Sequence, residues 1–436
     1  MKRSTRRIRI LFFIVLSFLG SWFITAAIID DTEPTSLIEK YTQEQRPIDR
    51  GRDSLRAALY GLYAPVGVDF YAYGQRRMIN RGMDTSGRIA LTDEVSIVDL
   101  DCITNYKRQV INAEVCLGTD ILTAYIAQNS VLLDRYAEVL NISHAHALSS
   151  QANDKARSVP LSGLVHLNKL TLVQYAVMVQ RGEVEQAISL YNKNIGFVRQ
   201  LLQAETGFVG FAIPLNMMQS IISFQPYFVN LIKRQGYNRP IDLNALAFSW
   251  GQYKEISKRV LGGEVKRMFE HSLAASTGID GQYHGWFGLR LADSVFDFHN
   301  VFLKRLDRIN QDFVGAVDRA ENPQDLIKGI RNVVYSNYTS GAFAVRSFRE
   351  LLNPTGHIKT NILVNEMIKG FGLFEAFYYQ NQLAELADIY AHPEFDDAKP
   401  YFLTETQLPV VADRTRLCVS NIDGVYMARK CLYTRQ

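Results

Sequence analysis

The part of the sequence best suited to binding a ligand is a glycine-rich loop between two predicted helices, residues 278–288. It contains four glycines together with Asp280, Tyr283, His284 and Trp286. Glycines permit irregular backbone, and exposed Tyr and Trp rings can stack on sugars or contact a protein partner. The alternative is that these rings turn inward and fill the space between the helix ends. If the chain has a ligand site, we expect it at this loop, because binding residues concentrate on loops.

Two other groups of polar residues have types that could bind a metal ion. His144 and His146 are two residues apart, a spacing that suits chelation from a strand or loop but not from a helix. Asp293 and Asp297 share one helix face, but His299 lies on another, and no Glu-x-x-His pair completes a di-iron bundle. Surface histidines and a solvated acidic stripe are the favoured interpretations. The sequence therefore predicts no metal and no cofactor.

The motifs that mark common catalytic sites are missing from the sequence. It has no G-x-S-x-G elbow, no H-E-x-x-H, no phosphate-binding P-loop and no EF-hand loop. Residues 370–372 (Gly-Phe-Gly) are half of a dinucleotide-binding fingerprint, but they follow a helical stretch instead of a strand. His392, Glu394, Asp396 and Asp397 follow the last long helix and are interpreted as a capping loop. No class of enzyme is indicated.

The four cysteines form two close pairs near opposite ends of the chain. Cys102 and Cys116 are 14 residues apart, and Cys418 and Cys431 are 13 apart. Neither pair has the spacing of a zinc knuckle, and there is no C-x-x-C redox motif. Three connectivities are open, of which Cys102–Cys116 with Cys418–Cys431 is the simplest. In an oxidising compartment each such bridge would stabilise the fold by about 3 kcal/mol.

The positive charge of the chain is concentrated at its beginning. The 48 Lys and Arg residues against 44 Asp and Glu residues give a formal net charge of +4, which hints at an anionic partner. Five of the cations lie in residues 1–9, however, and no acid precedes Asp30. Without these five charges the rest of the chain carries −1, so no nucleic-acid partner is predicted.

Residues 10–29 are a run of twenty residues without a charge. A helix of this length is about 30 Å long, the thickness of a hydrocarbon core. The basic flank predicts that residues 1–9 stay in the cytoplasm and that the body lies on the other side of the membrane. The alternatives are a signal peptide cleaved near Ala27 and a buried N-terminal helix. The length of the run favours a single-pass anchor in the inner, or plasma, membrane.

Beyond the anchor the sequence predicts a polar tether at residues 30–52 and a mainly α-helical body at residues 53–405, either one large unit or two closely packed helical units. Apolar residues recur there at three-to-four spacing, and alternating strand patterns are almost absent. They do so over residues 121–140, 295–317 and 358–389. Residues 210–234 are apolar but are interrupted by Pro, Asn and Gln, which favours a buried helix over a second membrane span.

Residues 161–204 predict two helices that are separated at Arg181-Gly182-Glu183. Gly182, the Ala187-Ile188 pair and Tyr191 resemble the second half of a tetratricopeptide hairpin. No second copy follows at the period of that repeat, and a repeat array needs several copies to bury a continuous face. An ordinary antiparallel helix pair is the favoured interpretation.

The last segment, residues 406–436, has a different character. Short apolar runs on both sides of Asp423-Gly424 predict a C-terminal β-hairpin. A two-residue turn at Asp423-Gly424 would pair Cys418 with Arg429, about two residues out of register with a Cys418–Cys431 bridge. Either the turn is longer or the bridge flanks the paired strands.

The combination of a predicted membrane anchor, a helical body and two predicted disulfide bridges leads to a functional hypothesis. We expect a membrane-anchored, non-enzymatic binding or scaffold protein of the cell envelope, with the bilayer and an envelope protein as its partners. The alternative is an envelope hydrolase that acts on glycan or lipid, with its site at the loop of residues 278–288.

Overall fold

The computed structural model describes the greater part of the helical body and short C-terminal segments. Its described residues are mainly helical, as the sequence predicts. They comprise Ser17 and the ranges 55–79, 88–89, 119–142, 161–204, 207–237, 239–276 and 298–337, most of 364–395, and 401–404, 409–413, 416–419 and 431–433.

The chain divides into two compact units. One unit contains Ile48–Leu261, Glu321–Asp325 and Leu373–Gln436; the other contains Met1–Pro47, Gly262–Ala320 and Leu326–Gly372. The described helices, in chain order, are α1 (Leu55–Gly61), α2 (Phe70–Ile79), α3 (Thr119–Gln128), α4 (Ser130–Val139), α5 (Leu161–Gln180), α6 (Val184–Ala204), α7 (Phe208–Arg234), α8 (Trp250–Ser276), α9 (Phe298–Arg319), α10 (Pro323–Asn337) and α11 (Gly372–Ala391).

Helices α1 and α2 cross at very close range because glycines lie at the contact. A Cβ atom added to Gly61 would overlap the carbonyl oxygen of Phe70, and one added to Gly74 would overlap that of Ala57. The backbones therefore touch directly, which only residues without a side chain allow. Arg135 of α4 donates to the carbonyls of Leu62, Ala64 and Pro65 in the chain that leaves α1.

The predicted helix pair at residues 161–204 is confirmed. Helices α5 and α6 pack against each other and are joined at Gly182, whose φ of 84° is in the left-handed region that favours glycine. Both pack on α7. Tyr191 of α6 is fully buried, and its ring centroid lies 4.6 Å from that of Phe228.

Helix α7 is the buried helix that the sequence predicts for residues 210–234. Met217 and Met218 are both fully buried, although Pro214 and Pro226 lie inside the helix. Each proline removes the N–H donor for the carbonyl four residues earlier, that of Gly210 or Ile222. The hydroxyls of Ser220 and Ser223 donate to carbonyls one turn earlier, those of Asn216 and Gln219.

The prediction of one continuous helix over residues 121–140 was wrong in detail. The structure has two helices, α3 and α4, separated at Asn129. The Asn129 side chain is buried, and its Nδ2 donates to the Tyr125 carbonyl at 2.9 Å. The Asn129 N–H also donates to that carbonyl, at 3.1 Å, so the interruption is a local departure of the Asn129 backbone from helical angles (φ −100°, ψ 12°), through which the apolar periodicity continues.

The second unit contains α9, whose apolar stripe packs inward as the sequence predicts. Phe302, Leu306, Ile309 and Phe313 are each at most 2% exposed, and the ring centroid of Phe313 lies 5.4 Å from that of Phe371. Val295 and Phe296, the first residues of the predicted stripe, lie outside the described residues.

The described C-terminal residues form a four-stranded antiparallel sheet in the order β1-β2-β3-β4. Its register places Cys418 directly opposite Cys431, not opposite Arg429. The connection between β3 and β4 is therefore longer than the two-residue turn considered above, and the predicted strand at residues 425–428 lies outside the described residues. The strands are β1 (Tyr401–Phe402), β2 (Pro409–Asp413), β3 (Arg416–Val419) and β4 (Cys431–Tyr433).

Among the helices that the structure describes, none combines the length and apolar character needed to cross a membrane. Of the predicted anchor, residues 10–29, only Ser17 is described.

Candidate functional site

A non-helical segment, residues 239–249, is held against α6 and α11 by side-chain hydrogen bonds; we refer to it as the strap. Asn192 of α6 donates from Nδ2 to the Asp242 carbonyl at 2.9 Å and accepts the Asn244 N–H at 2.8 Å. Two helical turns further along α6, Arg199 donates to the Ala247 carbonyl. Helix α6 thus replaces a neighbouring strand as the hydrogen-bond partner of this backbone.

Helix α11 holds the other side of the strap. The Asp388 carboxylate accepts the N–H groups of Leu246 at 3.0–3.1 Å and of Ala247 at 3.0 Å. Asn381 bonds both backbone groups of Phe248: its Oδ1 accepts the Phe248 N–H at 2.7 Å, and its Nδ2 donates to the Phe248 carbonyl at 2.9 Å. The side chains of Leu246 and Phe248 are then buried. The strap is therefore a fixed part of the structure.

Two charged groups are partly buried beneath the strap. Burial raises the pKa of the Asp388 carboxyl from 3.8 to about 6, although the N–H groups of Ala247 and Leu246, the Gln225 amide and the Arg199 charge all act to lower it. Burial also lowers the pKa of Arg199, and the charge of Asp388 opposes that shift. The Arg199 guanidinium lies 4.3 Å from the centroid of the Phe248 ring, a cation–π contact.

Asp388 should make the stability of the protein depend on pH. Its folded pKa of about 6 is above its unfolded value of 3.8, so the folded state binds this proton more tightly. The resulting stabilisation is fully present below about pH 4 and is lost as the pH rises through 6. We expect its size to be at most about 2 kcal/mol, because the carboxylate keeps some contact with solvent. The measurement is the free energy of unfolding by urea from pH 4 to 8.

The variant Asp388→Asn isolates this effect, because its amide keeps one acceptor oxygen for the strap and does not titrate. The wild type should lose stability relative to the variant between pH 4 and 7, and the difference should then stay constant. Parallel curves for the two proteins across this range would contradict the assignment.

Beside the strap, an open groove of about 510 Å³ runs along one face of α6. One wall is formed by residues 140–142, the three residues after α4, and the other includes Asn244 of the strap. The floor is formed by Ser189, Asn192, Lys193, Gly196, Phe197 and Gln200.

The lining of this groove is about equally polar and apolar and is mostly uncharged. Amide side chains predominate, and Lys193 is the one charged residue among the described lining residues, which include no carboxylate and no histidine. The Oε1 atom of Gln200 is buried and has no hydrogen-bond partner in the described part of the chain. A buried acceptor without a donor is unfavourable by about 1–3 kcal/mol. This oxygen is closed to solvent, so it is not presented to a ligand in the open groove.

Behind the groove, a chain of buried polar side chains fixes the opposite side of α6. Asn194 donates to the Oδ1 of Asn168 at 2.8 Å, and the Tyr136 hydroxyl lies 3.4 Å from the Oδ1 of Asn194. All three residues are fully buried. Burial raises the pKa of Tyr136 well above its ordinary value, so its hydroxyl stays protonated. These contacts hold the floor of the groove in one position.

The predicted ligand loop lies outside the described residues, as do Asp280, Tyr283, His284 and Trp286. Its role, and the alternative of a hydrolase built on it, stay predictions. The same holds for the cysteine pair Cys102–Cys116 and for the bridge between Cys418 and Cys431, of which the structure describes only the strand register.

The described part of the chain contains no group of three or more His, Cys, Asp or Glu residues that could hold a metal ion. His144, His146, Asp293 and Asp297 lie outside it, and of His299 only the backbone in α9 is described. His392 and Glu394 are exposed just after α11, and the Glu394 N–H donates to Nδ1 of His392 at 3.3 Å. This geometry fits the predicted capping loop.

Sequence reasoning missed the strap and the groove. One signal was present: Asn192 and Arg199 are seven residues apart, and so are Asn381 and Asp388. Polar residues at this spacing share one helix face two turns apart. On helices as buried as α6 and α11, such a pair indicates a common partner, but the sequence does not say which segment that partner is.

Comparison of the chain with known protein families, curated proteins and solved structures gives no match. The functional interpretation therefore depends on the geometry of the strap and the groove and on the pattern of the sequence.

Proposed function

We propose that this chain is a membrane-anchored protein of the cell envelope whose helical body binds another envelope component in the groove along α6. The observation that carries the proposal is the groove itself, whose described lining combines amide and apolar side chains around the single charge of Lys193. Pre-formed concave sites with a few well-placed polar groups are where ligands bind most often.

The charged groups next to the groove support binding over catalysis. The carboxylate of Asp388 accepts backbone N–H groups, and the guanidinium of Arg199 donates to a backbone carbonyl. Both are thus engaged in holding the strap. A general acid or base needs to reach the reacting atom directly, and Lys193 has no carboxylate or histidine beside it among the described lining residues.

The location in the envelope is proposed from the sequence. Residues 10–29 would form a single membrane span, with the basic residues 1–9 in the cytoplasm and the body on the far side. A C-terminal hairpin stapled by Cys418 and Cys431 is part of the same proposal, because disulfides persist in that compartment. The direct pairing of these two positions in β3 and β4 supports the bridge.

The experiment has two arms on the full chain. An alkaline phosphatase fused after residue 40 should be active, and a cytosolic reporter at the same point should be inactive. For the groove, a photo-crosslinking amino acid at Ser189 should form an adduct with an envelope component in intact membranes.

Gln186 provides the matched control for the crosslinking arm. It is exposed on the same helix but does not line the groove. Adducts that form equally at both positions, or at neither, would refute a binding role for the groove. An inactive phosphatase would refute the topology.

A further inference from the structure

We infer that the exposed half of the strap, residues 242–245, is a gate: it opens away from Asn192 while residues 246–248 stay bound, and its opening widens the groove along α6. We refer to residues 242–245 as the gate and to residues 246–248 as the anchor. The opening of the gate follows from its own contacts, whereas a role for it in binding rests on the function proposed above.

The two halves of the strap differ in how much of them is buried. Three of the four gate residues are exposed and the fourth, Leu243, is half-buried, whereas Leu246 and Phe248 of the anchor are buried. Opening of the gate therefore exposes little apolar surface, while release of the anchor would bring the Phe248 ring into water. Segments with few buried apolar contacts are the ones that open locally at the least cost in free energy.

Within the described part of the chain, the hydrogen bonds of the gate all lead to one residue, Asn192. Its Nδ2 donates to the Asp242 carbonyl at 2.9 Å, and its Oδ1 accepts the Asn244 N–H at 2.8 Å. The Nδ2 of Asn244 donates in turn to the backbone carbonyl of Asn192 at 3.2 Å. These bonds lie at the surface, where water replaces a lost partner at little cost. Loss of the contact with Asn192 therefore releases the gate.

The anchor has contacts that the gate does not share. Its backbone groups are bonded by Asp388 and Asn381 of α11 and by Arg199 of α6. In the structure as described, none of these three side chains hydrogen-bonds residues 242–245. The anchor therefore stays bound when the gate opens, and each half can be released separately.

The sequence of the gate allows the backbone rotation that opening requires. Its residues, Asp-Leu-Asn-Ala, include no proline and no β-branched side chain. Asp and Asn also adopt backbone angles that most other residues avoid. The residues on either side, Ile241 and Leu246, are buried and form the fixed ends. Opening is then a local rotation of four residues between two fixed points.

The contact that closes the gate lies at the groove. Asn192 belongs to the floor of the groove and Asn244 to its wall, so their hydrogen bonds join the wall to the floor. When the gate opens, this wall moves away and the side-chain amide of Asn192 can bond a molecule in the groove. The gate and such a molecule compete for the same amide, so the closed gate opposes binding.

The first test is hydrogen–deuterium exchange of the purified full chain in lipid nanodiscs, resolved to single residues by fragmentation in the mass spectrometer. We expect the Asn244 N–H to be protected at least about tenfold less than the N–H groups of Leu246 and Ala247. Asn192→Leu removes both side-chain bonds to the gate and should leave the exchange of Leu246 and Ala247 unchanged. Gln186→Leu, at an exposed position of the same helix outside the groove, should change neither half.

The second test asks whether the gate controls binding. The photo-crosslinking amino acid at Ser189 is combined with Asn192→Leu or with Asn244→Ala, which weaken the contact from opposite sides. We expect both variants to raise the yield of adduct in intact membranes at least about twofold, because the open state is then populated more of the time. Gln186→Leu is again the control and should leave the yield unchanged.

Protection of the Asn244 N–H as strong as that of the anchor would overturn the inference, and so would faster exchange of the anchor in Asn192→Leu, because the strap would then open as one piece. An adduct yield that both variants leave unchanged or lower would exclude control of binding by the gate. No adduct even without these variants would refute the proposed function and with it the role of the gate in binding, while the exchange data decide separately whether the gate opens.

Discussion

Replacement of Arg135 by methionine is expected to lower the free energy of unfolding by about 3 kcal/mol. Arg135 is 7% exposed, and its guanidinium donates to the carbonyls of Leu62 at 3.0 Å, Ala64 at 2.6 Å and Pro65 at 2.9 Å. These carbonyls belong to the chain that turns away from the end of α1, where backbone acceptors lack helical partners. Methionine fills similar volume but donates nothing, so the Leu62 and Ala64 carbonyls lose this donor, whereas the Pro65 carbonyl still accepts the Val68 N–H at 3.2 Å. Urea unfolding followed by circular dichroism measures the change.

The size of this effect is a balance between two contributions. Burial lowers the pKa of Arg135, which shows that the cation is in an unfavourable medium, and methionine removes that penalty. The carbonyls of Leu62 and Ala64, which belong to fully buried residues, outweigh it when they lose this donor.

Arg135→Lys distinguishes the charge from the geometry, since lysine keeps the charge but brings its donors on a single nitrogen. We expect about half the loss with lysine. The exposed Arg76→Met is the matched control and should change stability by less than about 0.5 kcal/mol. A loss no greater for Arg135→Met than for Arg76→Met would show that the three hydrogen bonds contribute nothing net.

The helical elements could be predicted because apolar periodicity reports burial directly. The face of α9 from Phe302 to Val317 is an example, and so is the junction at Gly182, where a glycine interrupts two periodic segments. The break at Asn129 was not predictable in the same way. It is a local change in the backbone angles of one residue, Asn129, while the pattern of apolar residues around it does not change.

The groove and the strap were beyond sequence reasoning for a different physical reason. In the sequence, Asp388 and Arg199 look like ordinary surface charges. Their partners are backbone groups of residues 246 and 247, and every residue has such groups, so the residue types do not reveal the contact. The sequence left open whether the turn is longer than two residues, and the register of Cys418 with Cys431 shows that the connection is longer. The Asp423-Gly424 pair favours a tight turn locally, but the pairing of β3 and β4 sets a longer connection.

Gly74→Ala is expected to destabilise the protein by about 3 kcal/mol or more. The added methyl group would overlap the Ala57 carbonyl oxygen and would lie 2.8 Å from the Gly61 nitrogen. Both are backbone atoms of α1, so no side chain can rotate away to make room. The two helices would have to separate, and the buried contacts between them would loosen together. The measurement is again the midpoint and slope of urea unfolding.

Gly196→Ala is the matched control, because this glycine is also inside a helix but faces open space. Alanine should there raise the free energy of unfolding by about 0.5–1 kcal/mol, since it restricts the unfolded chain and favours the helix. The same substitution thus has opposite signs at two helical positions, and only close backbone contact explains the difference. Gly61→Ala should resemble Gly74→Ala, and the double variant should lose less than the sum, because the first methyl group already separates the helices. Additive losses, or a stabilised Gly74→Ala, would show that α1 and α2 are not in direct backbone contact.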